Sequence, residues 1–172
     1  MGKKGTEASV TALARAIAYA TLFVGLVLIF FPAQVLAAAG VPTPARFGAP
    51  QIAGMALGAA GGAVALWCVL AFALIGRGTP APFDPPRRLV VRGRYRHVRN
   101  PMYLGACTVL AGAALFYETG ALCAYAGGFL VLMHLFVVRY EEPTLRRTFG
   151  EEYDRYCRQV RRWCPRLGVL GT

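Results

Sequence analysis

Two adjacent glutamates, Glu141 and Glu142, stand directly after a long apolar segment and directly before Pro143. They need cationic partners there, because an ionised carboxylate is costly to bury alone. One interpretation is an ion pair from Glu142 to Arg146, four residues further along a helix. The other is a pair of carboxylates that binds a cationic or polyhydroxyl ligand. Since proline disfavours helical geometry in the residue before it, we expect a helix break at Glu142 and a new helix from Pro143.

A second set of reactive groups lies in the basic segment 92–105, where Asn100-Pro101 indicates the start of a helix. Asparagine is a favoured N-cap, and proline is a favoured first helical residue. We therefore expect the positive end of a helix to open among arginines, a setting that suits a carboxylate or a phosphate. A simpler interpretation is that these arginines flank a membrane span and meet lipid phosphates.

The two histidines are the remaining groups that titrate near neutral pH. His97 lies in the basic segment and could act as a base, as could one of the glutamates. His134 falls inside an apolar segment, where a charge is costly, so we predict a neutral side chain bonded to a neighbouring helix. The five cysteines form no C-x-x-C pair, so we expect no metal site and no disulfide framework.

The composition predicts the kind of element that positions these residues. The chain has 172 residues, of which 56% are hydrophobic and 16% charged, and its formal net charge is +11. It is more apolar than an ordinary soluble domain and too poor in charge for a basic nucleic-acid-binding domain, so no nucleic-acid partner is expected. High hydrophobicity excludes intrinsic disorder. The length fits a single membrane domain, residues 1–172.

Four apolar segments predict an all-α integral membrane bundle with about four transmembrane helices. The first two, Val10–Phe31 and Gln51–Gly76, are long enough for a bilayer, which takes about 20 residues to cross. The third and fourth, Met102–Tyr117 and Ala121–Val138, predict a tight helical hairpin whose first helix is short for a span. Beyond Pro143, an apolar stripe predicts an amphipathic cytosolic helix that lies in the membrane interface or covers a pocket. The stripe consists of Leu145, Phe149, Tyr153, Tyr156, Val160 and Trp163.

The basic residues predict the orientation of this bundle. With four spans, every lysine and arginine except Arg46 falls on one face, together with both termini. The positive-inside rule makes that face cytoplasmic, and in a prokaryote the membrane would be the cell inner membrane. Gly54, Gly58 and Gly62 share one face of the second span. Such small-residue spacing predicts close helix packing or a dimer through that face.

The segment from Gly93 to Gly105 resembles the G-x-Y-x-x-x-R-H/N-P-x-Y motif of isoprenylcysteine carboxyl methyltransferases and related membrane phospholipid methyltransferases. A second block resembles the E-E…F-G-x-x-Y-x-x-Y tail of the same family. The two blocks occur in order over about residues 76–166, a little over half the chain. Residues 10–76 are then an N-terminal two-helix membrane part, and residues 77–166 a cofactor-binding catalytic part. The second block consists of Glu141-Glu142, Phe149-Gly150, Tyr153, Tyr156 and the closing Arg162-Trp163-Cys164-Pro165.

The resemblance implies an enzyme that binds S-adenosylmethionine at its cytosolic face and takes a lipid substrate from the bilayer. The two glutamates would hold the amino group or the ribose hydroxyls of the cofactor. Asn100 departs from the histidine common in prenylcysteine enzymes and matches the asparagine version of phospholipid N-methyltransferases, which leaves the acceptor class open. The cofactor-binding residues carried over are Tyr95, His97, Val98, Asn100, Pro101, Tyr103, Glu141 and Glu142.

We predict methyl transfer to a carboxylate, as in isoprenylcysteine O-methylation, because a carboxylate is already a nucleophile that one arginine could grip. The catalytic candidates are Arg96, Arg99 and Arg139. The alternative is a phospholipid amine, which must first lose a proton to a base. Membrane sterol reductases have a similar arginine-proline-tyrosine block but use NADPH, whose phosphate the acidic pair would repel. A non-catalytic membrane scaffold leaves both motif blocks unexplained.

Overall fold

The computed structural model describes residues 21–71 and 93–165, together with Ala14, Ala18, Leu89 and Val91. A short 3-10 turn, Gly93–Arg96, precedes the third helix. Three parts of the chain lie outside the described residues: the beginning of the first apolar segment, the end of the second apolar segment with most of the chain between residues 72 and 92, and residues 166–172. The helices are α1, Thr21–Ala38; α2, Ala49–Ala71; α3, Pro101–Phe116; α4, Gly120–Phe149; and α5, Glu151–Gln159.

Three of these helices, α1, α2 and α4, are long and apolar enough to cross a membrane. The shorter α3 is also apolar and has 16 residues, which agrees with the expectation of a helix too short for a full span. Within the part of the chain that the structure describes, the only extended pairing is an isolated bridge between Val98 and Arg161. The all-α membrane bundle predicted from composition is confirmed.

Helices α2 and α3 pack through pairs of glycines that bring their backbones into contact. A Cβ atom on Gly54 would lie 2.6 Å from the carbonyl oxygen of Gly112, and one on Gly61 would lie 2.6 Å from that of Gly105. Because the partner numbers fall as the α2 numbers rise, the two helices are antiparallel. Such close backbone approach supplies dispersion contacts where lipid offers no hydrophobic drive for association.

This seam confirms that the glycines of α2 pack a helix, although the helix belongs to the same chain. A Cβ on Gly112 would lie 2.7 Å from the backbone nitrogen of Gly58, so Gly54 and Gly58 both border α3. Cβ atoms on Gly58 itself and on Gly62 would meet nothing within 4 Å. The dimer expected from Gly54, Gly58 and Gly62 is not supported, and Gly54 is the one of the three whose added Cβ would meet α3.

A buried side-chain amide, that of Gln51, fixes the end of the pair at which α2 begins and α3 ends. The Gln51 side-chain nitrogen donates to the Phe116 carbonyl at 3.1 Å and to the Glu118 carboxylate at 2.7 Å. Its oxygen accepts from the Gly48 backbone N–H at 2.9 Å. The predicted hairpin follows directly, since α3 ends at Phe116 and α4 begins at Gly120, where the Thr119 hydroxyl caps the new helix.

Helix α4 continues through the acidic pair, so the predicted break at Glu142 is wrong. The chain is α-helical over Gly120–Phe136, π-helical over Val137–Glu141 and α-helical again over Glu142–Phe149. Proline in an α-helix lacks an N–H and its ring collides with the carbonyl four residues earlier. The wider π-helical turn accommodates Pro143 without ending the helix.

The apolar stripe after Pro143 is divided by Gly150, whose φ of +51° ends α4 and starts α5. Tyr153, Tyr156 and Val160 are buried and pack with partly buried neighbours. Much of the stripe therefore packs inward against other residues of the chain. Those neighbours are Leu89, Leu145, Phe149 and Cys157.

We predict that Gly54→Ala lowers the free energy of unfolding by about 1–3 kcal/mol, the usual cost of overpacking a tight contact. The added methyl group would overlap the Gly112 carbonyl. Gly62→Ala is the matched control, because it adds the same methyl group to the same helix in open space. Thermal unfolding in detergent micelles measures both variants. Equal stability of Gly54→Ala and Gly62→Ala would contradict close packing of α2 and α3 at Gly54.

Candidate cofactor and substrate site

The predicted motif residues meet where segment 93–100, the start of α3, the π-helical turn of α4 and helix α5 come together. The Tyr156 hydroxyl donates to the Tyr95 carbonyl at 2.7 Å, which ties α5 to the 3-10 turn. The Tyr103 hydroxyl donates to the Glu141 carboxylate at 3.2 Å, which ties α3 to the π-helical turn. Residues about 60 positions apart in the chain, Tyr95 and Tyr156, therefore belong to one site.

Residues 160–163, which we call the C-terminal strap, follow helix α5. After α5 the backbone becomes extended at Val160. The strap then runs beside the segment before α3, where the Arg99 N–H donates to the Arg161 carbonyl at 2.9 Å. The Asn100 side-chain amide donates to the Arg162 carbonyl at 3.3 Å. The strap thereby joins the two sequence blocks through backbone groups.

Glu142 is buried and is neutralised within the chain. Arg162 grips its carboxylate with two hydrogen bonds, of 2.7 Å from Nε and 3.0 Å from a terminal nitrogen. Arg99 approaches to 3.4 Å, whereas Arg146 reaches only 3.9 Å. The predicted contact between Glu142 and Arg146 is present, but it is the longest of the three. Hydrogen bonding to the Glu142 carboxylate raises the pKa of Arg162.

Glu141 has a different environment from its neighbour. Its described hydrogen-bond partner is the phenol of Tyr103, which is itself buried. Among the residues that the structure describes, no guanidinium forms an ion pair with Glu141. Burial raises the pKa of the nearby Tyr95 phenol, and the Glu141 carboxylate contributes in the same direction. The geometry thus separates the acidic pair into one carboxylate held by arginines and one that faces neutral hydroxyl groups.

Arg99 is the predicted arginine that lies at the acidic pair. One terminal nitrogen donates to the Cys157 sulfur, and the other approaches Glu142. Its Nε is buried and has no hydrogen-bond partner among the described residues. Arg96 and Arg139 are both exposed, and neither is paired with a carboxylate in the described part of the chain. Of the three arginines predicted as catalytic, Arg99 is the one with a described contact to the acidic pair.

The predicted helix start at Pro101 is confirmed, but the predicted side-chain cap is wrong. Asn100 makes no capping hydrogen bond, because its amide is turned towards the Arg162 carbonyl. Val98 and Pro101 are also buried, whereas His97 is exposed. A local rule for helix ends could not reveal that a segment 62 residues away competes for this side chain.

His134 is hydrogen-bonded as predicted, although its partner is the strap. The Trp163 indole N–H donates to Nδ1 of His134 at 3.0 Å. Trp163 also packs against the buried cluster that contains Tyr103 and Phe129. The roles of Arg162 and Trp163 were missed by sequence reasoning. Their partners are 20 and 29 residues away, and no periodicity marks such contacts.

Comparison with protein-family models matches residues 49–152 to the family described as Phospholipid methyltransferase. The match begins at the first residue of α2, includes the segment before α3 and the acidic pair, and ends in the first turn of α5. Neither the comparison with curated proteins nor that with solved structures finds a match. The C-terminal strap lies beyond the matched residues.

We predict that Glu142→Gln lowers the free energy of unfolding by about 3 kcal/mol, because it leaves the guanidinium of Arg162 without its buried counter-charge. Arg146→Gln should cost about 0.5 kcal/mol or less, since that side chain is 48% exposed, its contact with Glu142 is long and its ion pair with Asp154 lies at the surface. Unfolding in detergent micelles at neutral pH measures both variants. Equal losses would mean that the carboxylate is not held mainly by Arg162.

Proposed function

Because the chain belongs to the phospholipid methyltransferase family, we propose that it transfers a methyl group from S-adenosylmethionine to an acceptor carried in the membrane. The family and the apolar helices indicate an integral membrane methyltransferase. The identity of the methyl donor, the acceptor and the cytoplasmic placement of the site and both termini belong to the proposal. The positive-inside distribution of arginines supports that placement.

The observation that carries the proposal is that the motif residues include both a carboxylate without a described guanidinium partner and a guanidinium nitrogen without a described acceptor. Glu141 is bonded to a phenol, and the buried Arg99 Nε has no described acceptor. The methionine moiety of S-adenosylmethionine carries an ammonium and a carboxylate, which match these two groups in charge. Residues of this chain therefore fit the cofactor, with Glu141 on the amino group or the ribose hydroxyls and Arg99 on the carboxylate.

When bound, S-adenosylmethionine supplies a methyl group activated by a sulfonium, and the acceptor displaces it in line. The chain mainly has to position the reactants and exclude water. The Tyr103 hydroxyl orients Glu141 through their hydrogen bond. Tyr95, Val98 and Pro101 are buried residues of the same motif block. Tyr156 holds the backbone of this block in place through the Tyr95 carbonyl.

Two acceptors fit this site, and a different observation favours each. A carboxylate, as in isoprenylcysteine O-methylation, is favoured by the exposed guanidiniums of Arg96 and Arg139, which lack carboxylate partners among the described residues. An amine, as in phospholipid N-methylation, is favoured by the description of the matched family and by Asn100. An amine requires a base, and the exposed His97 is the group in the motif that can take a proton.

We predict that the purified chain in nanodiscs binds S-adenosylmethionine and that Glu141→Gln weakens binding about tenfold or more, as expected for a lost hydrogen bond to a charged group. Isothermal titration calorimetry measures the affinity. Glu151→Gln makes the same change at an exposed position of α5 and should leave the affinity unchanged. Absence of binding by the unaltered chain would contradict the proposed donor.

We predict that methyl label from S-adenosylmethionine appears in a lipid product whose response to base identifies the acceptor. A methyl ester releases labelled methanol in alkali, whereas an N-methyl group is stable. Membrane lipid extract and a prenylated cysteine analogue are supplied in separate reactions. Arg96→Gln and Arg139→Gln should raise KM for a carboxylate acceptor, while His97→Gln should lower kcat for an amine. Label in neither lipid product would overturn methyl transfer to a membrane-borne acceptor.

A further inference from the structure

The C-terminal strap contacts α4 on both sides of its π-helical turn. Before the turn, the Trp163 indole donates to His134 at 3.0 Å. Immediately after the turn, Arg162 grips Glu142 through bonds of 2.7 and 3.0 Å. The turn itself covers Val137–Glu141. Two neighbouring residues of the strap thus bracket the five-residue segment that ends in the proposed cofactor ligand.

A π-helical turn needs such support, because it is rare and its geometry is less favourable than that of the α-helix. In an α-helix each residue advances the side chain by about 100° around the axis, as 3.6 residues make one turn. A π-helical turn contains more residues per turn than an α-helical one, so it changes the direction in which every later side chain of the helix points. Relaxation to a regular α-helix would therefore rotate Glu141 away from the Tyr103 hydroxyl, from which it accepts a hydrogen bond of 3.2 Å.

The strap itself is well anchored on its other side. The Arg99 N–H and the Asn100 side chain hold the carbonyls of Arg161 and Arg162. Trp163 packs against the cluster that includes Tyr103. The strap can therefore act as a brace between the start of α3, which carries Tyr103, and the turn of α4, which carries Glu141.

We propose that Arg162 and Trp163 are positioning residues, which hold the π-helical turn between His134 and Glu142 and so keep Glu141 directed at Tyr103. The proposal rests on the proposed function in one respect, namely that Glu141 meets the cofactor. The brace itself is independent of any ligand. In this proposal Glu142 binds Arg162 of the brace, and Glu141 is the carboxylate that meets the cofactor.

Hydrogen–deuterium exchange of the full chain in lipid nanodiscs tests the brace without a ligand. Trp163→Phe removes the indole N–H and keeps an aromatic ring, and Arg162→Gln removes the two-point grip. We expect amide exchange over residues 137–142 to rise about tenfold in each variant, while the α2–α3 seam stays protected. Arg155→Gln is the control, because it removes an equal charge from an exposed position of α5.

Cofactor affinity tests whether the brace acts through Glu141. Arg162→Gln should weaken S-adenosylmethionine binding about tenfold in the unaltered chain and have no further effect in a Glu141→Gln background. Arg162→Lys keeps the charge but loses one of the two hydrogen bonds to Glu142. Its affinity for S-adenosylmethionine should lie between that of the unaltered chain and that of Arg162→Gln. If Arg162→Gln loses the α2–α3 seam as well, Trp163→Phe decides by the same two measurements.

The outcomes separate the brace from the proposed function. Faster exchange over residues 137–142 in a chain that does not bind S-adenosylmethionine would support the brace and contradict the proposed donor. Unchanged exchange in both variants would overturn the brace, whatever the cofactor affinity. An equal loss of affinity in the Glu141→Gln background would also overturn it, because Arg162 would then act on the cofactor by another route.

Discussion

The buried ion pair between Glu142 and Arg162 joins the parts of the chain on which the site depends. Its carboxylate belongs to the end of a membrane-length helix, and its guanidinium belongs to a segment beyond the last helix. A buried carboxylate is tolerable only when charge and hydrogen bonds are both supplied, and Arg162 supplies two bonds while Arg99 adds further positive charge. Because Arg99 precedes α3, this single carboxylate draws three separate segments together.

The glycine seam between α2 and α3 provides the rigid support on which that polar junction is built. Backbone contact at Gly54 and Gly61 fixes the distance and register of the two helices. At one end Gln51 closes the seam through the α3–α4 hairpin. At the other end the Trp67 and Tyr95 rings lie 6.1 Å apart, and Gly93 lies so close to Trp67 that any side chain there would overlap the indole. The 3-10 turn of the motif is thereby held against α2.

The two adjacent glutamates of α4 have different partners. A regular α-helix already separates successive side chains by about 100°, and the π-helical turn that ends at Glu141 fixes the direction of each. Glu142 points to the arginines, and Glu141 points to the Tyr103 hydroxyl. The acidic pair therefore provides one carboxylate that is an ionic anchor for the fold and one that has no guanidinium partner among the described residues.

The sequence by itself determined the membrane class, the helical hairpin, the helix start at Pro101 and the family, because these depend on composition, periodicity and short motifs. It also indicated that Glu141 and Glu142 mattered, but it could not assign them different roles. The seam could be anticipated from the glycines of α2, whereas the choice of α3 over a second copy required the fold.

Tertiary structure alone decided which arginine meets which carboxylate. Several arginines flank the site in the sequence, and nothing in their spacing distinguishes Arg162 from Arg96 or Arg139. Likewise, local rules predicted a break before Pro143, where the chain forms a π-helical turn instead, and a side-chain cap at Asn100, whose amide bonds to the C-terminal strap. For Arg162 and Asn100 the physical reason is the same: a side chain chooses among competing partners, and the partner chosen here lies tens of residues away.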